Sequence, residues 1–469
     1  MDVQRVLMIS TDSETAPQPT VPLGAAWGAE ALRLSGLEVR FLDLCFQKKP
    51  LAAVEDAIRT FRPDGIAFSI RNLDNCDFLA PKSYLPAVKE MVGLVGSRSD
   101  ARTLVGGAGV SLMPLQVLEY LGLDHAVVGE GERAAPAFFR AARLADACQV
   151  PGVVSRRGGM PKPPHLSSQF VPPQTHGWVD TRRYLGLEPV LPVQGKRGCA
   201  NRCLYCTYHK VEGENWRIRE PADVVEEIAS AMRQTGAREF EFVDSVFNEP
   251  PGYLELLLEE ILRKGVRARF SVSSLSPKGL TVEQVRLMER AGMTSLVITP
   301  ESAADATLAA LGKGFTEAEV HRSAELLSGS SIRALWCFLV GGPSESEESV
   351  AKTVSFVNRL PRKESAYITT GIRIYPGTGL HRLALEEGVV EADQSLLHPA
   401  FYFTRELTLQ KTMEMLQRGV SDPCRCIFPA ETRGANLSML RRLGVLLRLP
   451  TPFWRYAGYA KKISPGGSG

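Results

Sequence analysis

The sequence predicts an α/β fold: a doubly wound parallel sheet over residues 1–150, followed by a (βα)6 partial barrel over residues 191–385. Two observations carry this expectation. Short apolar runs alternate with 10–15-residue helical patterns in both regions, as parallel βαβ units require. The spacing then lengthens after residue 190, as six βα units in series would need. In the first region VLMIS (6–10), Leu37–Leu44, GIAFSI (65–70), TLVGG (103–107) and HAVVG (125–129) read as strands. Pro22–Ser35 reads as a helix between the first two. In the second region LPVQG (191–195), FEFVD (240–244), ARFSVS (268–273), SLVITP (295–300), RALWCFLVG (333–341) and AYITTGIRIYP (366–376) read as strands. Helical stretches such as Asp223–Gln234, Tyr253–Lys264, Val282–Ala291 and Glu319–Leu327 separate them.

Between the two regions, residues 151–190 contain PKPPH and VPPQ and lose periodicity, so a proline-rich surface linker is expected. Residues 386–469 are expected to be mostly helical and to end in a basic, aromatic tail, RRLGVLLRLPTPFWRYAGYAKK. That tail reads either as a helical cap or as a surface for an apolar or anionic partner, including peripheral contact with a membrane.

Composition bounds the function. The 469 residues are 44% hydrophobic and 23% charged, which excludes a disordered, collagenous or coiled-coil chain. A net charge of +3 gives no reason to expect a nucleic-acid partner. No uncharged apolar run reaches about 18 residues, and the first residues lack a signal-peptide pattern, so a cytoplasmic protein is expected. In that compartment the nine cysteines are ligands, nucleophiles or core residues rather than disulfides. Cys337 reads as a core cysteine, and Cys424 and Cys426 as packing or exposed thiols.

Three cysteines stand out. Cys199, Cys203 and Cys206 in KRGCANRCLYCTYHK follow the first barrel strand at its carboxyl end, where active sites of parallel barrels lie. Thiolates on one loop select zinc, copper(I) or iron–sulfur clusters. Zinc would need a fourth ligand, for which His209 is near in sequence.

The C-x3-C-x2-C spacing, with Tyr205 before the last cysteine, resembles the radical SAM superfamily. FVDSVFN (242–248), TPESAADATLAALGKGF (299–315), LVGGPSESEESV (339–350) and RIYPGTGL (373–380) resemble recurring strand-end features of those members that carry an N-terminal cobalamin domain. The resemblance implies that the three cysteines hold a [4Fe–4S] cluster whose open iron binds S-adenosylmethionine. It further implies that Tyr205, Asp244, Glu301, Ser302 and Gly341 lie around that molecule. It implies an external electron donor such as flavodoxin or ferredoxin.

VPLGAAWGAEALRLSGLEVRFLDL (21–44) resembles the start of the Rossmann-like cobalamin-binding class. By that likeness Pro22, Leu23, Gly24, Ser69, Arg71, Asn72, Gly106, Gly107, Gly129, Glu130, Gly131 and Glu132 surround the cofactor. The D-x-H-x-x-G pattern that supplies a lower histidine ligand in many such domains is missing, and Arg71 is a candidate for that face. The commonest reaction in the resembling family is methylation of an unactivated carbon through a 5′-deoxyadenosyl radical and methylcobalamin. Ring formation, rearrangement or carbon–carbon coupling, methylthiolation, and a non-enzymatic cobalamin or cluster sensor are the other readings. Tyr208, His209 and Tyr375 are candidates for proton transfer or substrate contact. The substrate class stays open among small molecules, lipids and peptides.

Overall fold

The computed structural model describes residues 3–15, 18–168, 170, 175–429, 443–447, 449 and 451–456. Six strands form the first sheet: β1 (Arg5–Ser10), β2 (Glu38–Asp43), β3 (Gly65–Ser69), β4 (Arg102–Gly106), β5 (His125–Val127) and β6 (Val153–Ser155). Their order is β2-β1-β3-β4-β5-β6, parallel except for β6, which runs antiparallel to β5. The central strand is apolar on both faces because helices cover both. Val6 and Met8 face the helices Leu23–Leu34 and Gly131–Arg140. Leu7 and Ile9 face Pro50–Phe61, Leu85–Arg98 and Pro114–Leu121.

The second sheet contains β7 (Leu191–Val193), β10 (Glu239–Phe242), β11 (Arg269–Leu275), β12 (Met293–Glu301), β13 (Arg333–Val340), β14 (Ser365–Thr370) and β17 (Cys426–Ile427). All neighbours are parallel, in the order β17-β14-β13-β12-β11-β10-β7. Two short antiparallel pairs decorate its carboxyl end. These are β8 (Lys196–Arg197) with β9 (Arg217–Ile218), and β15 (Ile372–Arg373) with β16 (Phe401–Tyr402). Alternation divides each barrel strand between two environments. Phe240, Phe242, Leu296, Ile298, Trp336 and Phe338 pack under the outer helices. Val297, Leu335, Cys337, Tyr367 and Ile427, of opposite parity, form a separate cluster on the lumen side with Trp454.

The two sheets are joined by more than the intervening chain. One apolar cluster contains Ile70 and Leu73 of the first region and Leu311, Ile372, Ile374, Leu380 and Tyr402 of the second. A buried ion pair crosses the same seam: Arg373 Nε lies 3.0 Å from Asp74 Oδ2, with side chains 4% and 0% exposed. The remaining Arg373 donors reach the carbonyls of Ile374 and Leu396.

Two expectations need correction. Residues 151–190 are not only a surface linker. Val153 and Val154 are buried in the edge strand β6. Tyr184 is buried and donates to Asp43 Oδ2 at 2.6 Å, while Trp178 Nε1 donates to Glu30 Oε2 at 3.1 Å. Apolar side chains too few to show a period still fill the gap beside the first sheet. The segment after 385 is likewise not only helical. Besides Leu409–Gly419 it supplies β16 and β17, which complete pairings begun elsewhere. Much of the basic tail lies outside the described residues; its Trp454 packs against the barrel cluster.

Candidate active site

The cysteine loop is anchored before it begins. Buried Asp244, just past β10, accepts Gly195 N at 2.7 Å, Lys196 N at 3.1 Å and Lys196 Nζ at 2.9 Å. Tyr253 donates from its hydroxyl to Gly195 O at 2.8 Å. At Gly198, with φ +89°, a Cβ would stand 2.1 Å from Asn215 O, so only glycine lets the strand turn into the loop here. The far side is held by Leu204 N to Leu311 O and Leu380 N to Leu204 O, both 2.9 Å.

Burial pushes all three thiols upward, Cys206 to about 12, and the Lys313 ammonium pulls Cys203 and Cys206 back. Among the described residues no three His, Cys, Asp or Glu side chains converge closely enough to share one metal ion. The three thiols lie on one loop, between Gly198 and Tyr208.

Beside them, Tyr205 donates to Glu301 Oε1 at 2.8 Å, and Lys313 Nζ lies 3.3 Å from both Glu301 Oε1 and the Tyr205 hydroxyl. Glu301 sits at φ +70° at the end of β12, a conformation costing a non-glycine residue about 1–3 kcal/mol. The network holds the carboxylate in place. Lys313 was not singled out from sequence, because one lysine in a glycine-rich turn carries no pattern. Glu249 also escaped notice: its Oε2 accepts from Asn201 Nδ2 at 2.8 Å, while Oε1 is buried without a partner. Its charge acts on Cys199 and Cys203.

Other residues expected around S-adenosylmethionine are engaged by the fold. Asp244 holds the loop entrance. Ser302 Oγ accepts Ala304 N at 3.3 Å. Gly341 N donates to Glu345 Oε2 at 2.9 Å, and at φ +95° a Cβ on Gly341 would meet the Phe403 ring at 2.4 Å.

A cavity of about 850 Å³ joins the carboxyl ends of the first sheet to the barrel mouth. Pro22, Leu23, Gly24, Ser69, Arg71, Gly106, Gly107, Gly129, Glu130, Gly131 and Glu132 line it, as does Tyr208 of the cysteine loop. Gly24 and Gly131 have nothing within 4 Å of where a Cβ would stand, so each leaves room against the cavity wall. This open glycine cradle fits a large planar cofactor. Gly107 serves differently: its φ is +105° and a Cβ would lie 2.4 Å from Ile70 O.

Several placements differ from expectation. Asn72 does not line the cavity; its backbone packs behind Gly109. Glu130 and Glu132 are ion-paired across the domain boundary. Arg197 Nη1 lies 3.4 Å from Glu130 and its Nη2 lies 2.6 Å from Glu132; Arg217 Nη1 lies 2.5 Å from Glu130. These pairs tie the crevice to the barrel while both carboxylates stay on the cavity wall. His209 and Tyr375 lie off the cavity, Tyr375 bonding Cys76 Sγ at 3.2 Å. Arg71 does reach the cavity, half exposed, with Asp12 3.7 Å away. His125 packs against Phe138 and Cys148 as a core side chain.

Residues 10–139 match the B12 binding domain model and residues 193–357 match the Radical SAM superfamily model. The chain carries a B12-binding domain followed by a radical SAM domain. It is 24% identical over 439 residues to tryptophan 2-C-methyltransferase of Streptomyces laurentii, covering 79% of this chain and 73% of that one. It is 23% identical over 406 residues to an uncharacterized methyltransferase of Pyrococcus horikoshii, covering 83% and 85%. It is 28% identical over 316 residues to hopanoid C-3 methylase of Methylococcus capsulatus, covering 64% and 58%. Its fold matches the radical S-adenosylmethionine methyltransferase TsrM from Kitasatospora setae, solved with cobalamin and a [4Fe–4S] cluster bound. The TM-score is 0.84 at 22% identity, with 98% of each chain covered. The radical enzyme OxsB, solved with aqua-cobalamin and S-adenosylmethionine, matches with a TM-score of 0.71 at 16% identity, over 99% of this chain and 71% of that one. Among the described residues no helix is long and apolar enough to cross a membrane.

Proposed function

We propose that this radical SAM enzyme is a cobalamin-dependent C-methyltransferase acting on a small molecule. One observation carries the reading: the glycine cradle and the barrel mouth, with Tyr208 of the cysteine loop on its wall, open on one cavity. Cys199, Cys203 and Cys206 would hold the cluster, and Gly24, Gly107, Gly129 and Gly131 the cobalamin. When bound, these groups supply one-electron cleavage of S-adenosylmethionine and a transferable methyl group.

The chain's own residues do the rest. Glu301, fixed by Tyr205 and Lys313, presents a carboxylate for an ammonium group beside the thiols. Arg71 places a cation on the cofactor side of the cavity, where it would offer a bound cobalamin hydrogen-bond donors and no metal-ligating lone pair. Arg197 and Arg217 clamp the crevice onto the barrel and keep the cavity walls in register. An external reductant such as flavodoxin or ferredoxin, and a cytoplasmic setting, complete the proposal.

Anaerobic reconstitution with iron, sulfide and hydroxocobalamin tests it. One cobalamin and a four-iron cluster per chain, with S-adenosylmethionine-dependent methylation of an acceptor, are expected. Iron without cobalamin would refute the methyl-transfer chemistry. Both groups bound without any S-adenosylmethionine cleavage would favour a sensor.

A further inference from the structure

Glu241 lies on β10 between Phe240 and Phe242, whose rings pack under the outer helices. Alternation therefore turns Glu241 into the barrel lumen, where it lines the shared cavity. Its strand neighbours are Pro192 of β7 and Ser271 of β11, neither of them charged. The other acids on this wall are taken up: Glu130 and Glu132 by arginines, Asp244 by Lys196, and Glu212 by Gly198 N and Gln194 Nε2. Glu188 is also engaged. Among the described residues no hydrogen bond or ion pair reaches the Glu241 carboxylate, and burial alone, with no neighbouring charge, pushes it up to about 7. A partly buried carboxylate with no partner in the fold stays protonated near neutral pH unless a cation that enters the cavity pairs with it.

We propose that Glu241 is the specificity-determining residue for the methyl acceptor and that this acceptor carries a protonated amine. The inference rests on the enzymatic reading of the cavity. Three residues along β10 separate Glu241 from Asp244, about 10 Å at roughly 3.3 Å per residue. The amine would thus anchor deep in the barrel, and the rest of the acceptor would extend upward toward the cysteine loop and the glycine cradle. Apolar lumen residues such as Val243 and Val297 would flank its hydrocarbon part. A neutral lipid offers nothing to this carboxylate.

The test compares amine and alcohol isosteres, phenethylamine with 2-phenylethanol and tryptamine with tryptophol, by calorimetry on the reconstituted enzyme at pH 8. A charge-assisted hydrogen bond should make each amine bind roughly 10- to 100-fold more tightly than its alcohol. Glu241→Gln, which breaks no bond of the folded chain, should bring each ratio to within about twofold while leaving S-adenosylmethionine and cobalamin affinities unchanged. Equal binding of amine and alcohol by the wild type would overturn the proposal. So would a preference that survives in E241Q, or amines that fail to bind at about 10 mM. The readout is distinct from catalysis: an enzyme lacking methyl transfer could still show the amine preference, and a working one could lack it.

Discussion

Gly24 and Gly107 both line the cavity, but for different reasons, and alanine should separate them. Gly24 occupies the first turn of the helix Leu23–Leu34, with no atom within 4 Å of a prospective Cβ. Alanine there costs the free protein nothing and favours the helix by up to about 1 kcal/mol. The methyl group would instead project into the cavity space proposed for the corrin. Overpacking of about 1–3 kcal/mol translates into roughly 5- to 150-fold weaker cobalamin binding. Gly107 has φ +105° and ψ 170°, a region open essentially to glycine alone. Its Cβ would stand 2.4 Å from Ile70 O, which also accepts Gly109 N at 3.2 Å. Strain of about 1–3 kcal/mol and the loss of a hydrogen bond worth about 1 kcal/mol give a penalty of about 2–4 kcal/mol. Thermal melts of the cofactor-free protein should therefore show G24A unchanged or slightly raised, and G107A lowered by about 2–4 °C. Cobalamin titrations should show G24A weakened despite its intact fold. Full cobalamin affinity in G24A would refute the cradle, and a G107A protein as stable as wild type would refute the argument from backbone approach.

Removing one member of the buried Arg373–Asp74 pair should destabilise the protein strongly. Arg373→Met leaves Asp74 buried without its cation and should cost about 3–5 kcal/mol, read as a lower urea midpoint. Glu364 is fully buried, accepts from Trp336 Nε1 at 2.7 Å, and is pushed up to about 7 by burial. Because its folded-state value lies above the unfolded one, its contribution is complete below about pH 4.5 and is lost as pH rises through about 7, worth up to about 3 kcal/mol. Stability measured from pH 5 to 8 should fall less steeply in Glu364→Gln than in wild type. Cys203→Ala should abolish cluster incorporation, seen in iron content and visible absorbance, while cobalamin binding persists because the cradle lies on other elements. Arg197→Met should weaken the domain clamp, leaving Glu132 without its cation while Arg217 still holds Glu130. Faster proteolysis near residues 129–132 is the expected readout.

The strands and helices that position the site were legible because their apolar periods are long and regular. β1, β3, β12 and β13 begin and end within a few residues of the runs VLMIS, GIAFSI, SLVITP and RALWCFLVG. β6 was hidden because three residues in a proline-rich stretch cannot display a period, and β17 because its two residues become a strand only by pairing with β14. The spacing of Cys199, Cys203 and Cys206 marked one loop, and the structure places that loop directly after β8. Spacing says nothing, however, about whether a carboxylate at a strand end is free. Asp244, Glu130 and Glu132 carry the right chemistry for ligands, yet Lys196, Arg197 and Arg217 have already claimed them. Those partners are distant in sequence or lie on short hairpin strands without a signature. Glu241 was passed over for the opposite reason: an acid inside an aromatic strand looks like ordinary alternation until, among the described residues, no cation is found to pair with it.

The apolar seam between the two sheets has a kinetic corollary. Domains joined by small polar contacts move against one another by default, whereas a shared hydrophobic core suppresses such motion. Here Ile70 and Leu73 are packed with Leu311, Ile374 and Leu380, and the seam is pinned by Arg373. The packed seam thus favours a constant separation between the cradle and the cysteine loop. If that separation holds through turnover, successive chemical events would be ordered by which small molecules enter and leave the chamber. Turnover would then be gated by the traffic of its contents through the cavity opening, rather than by opening and closing of the protein around them.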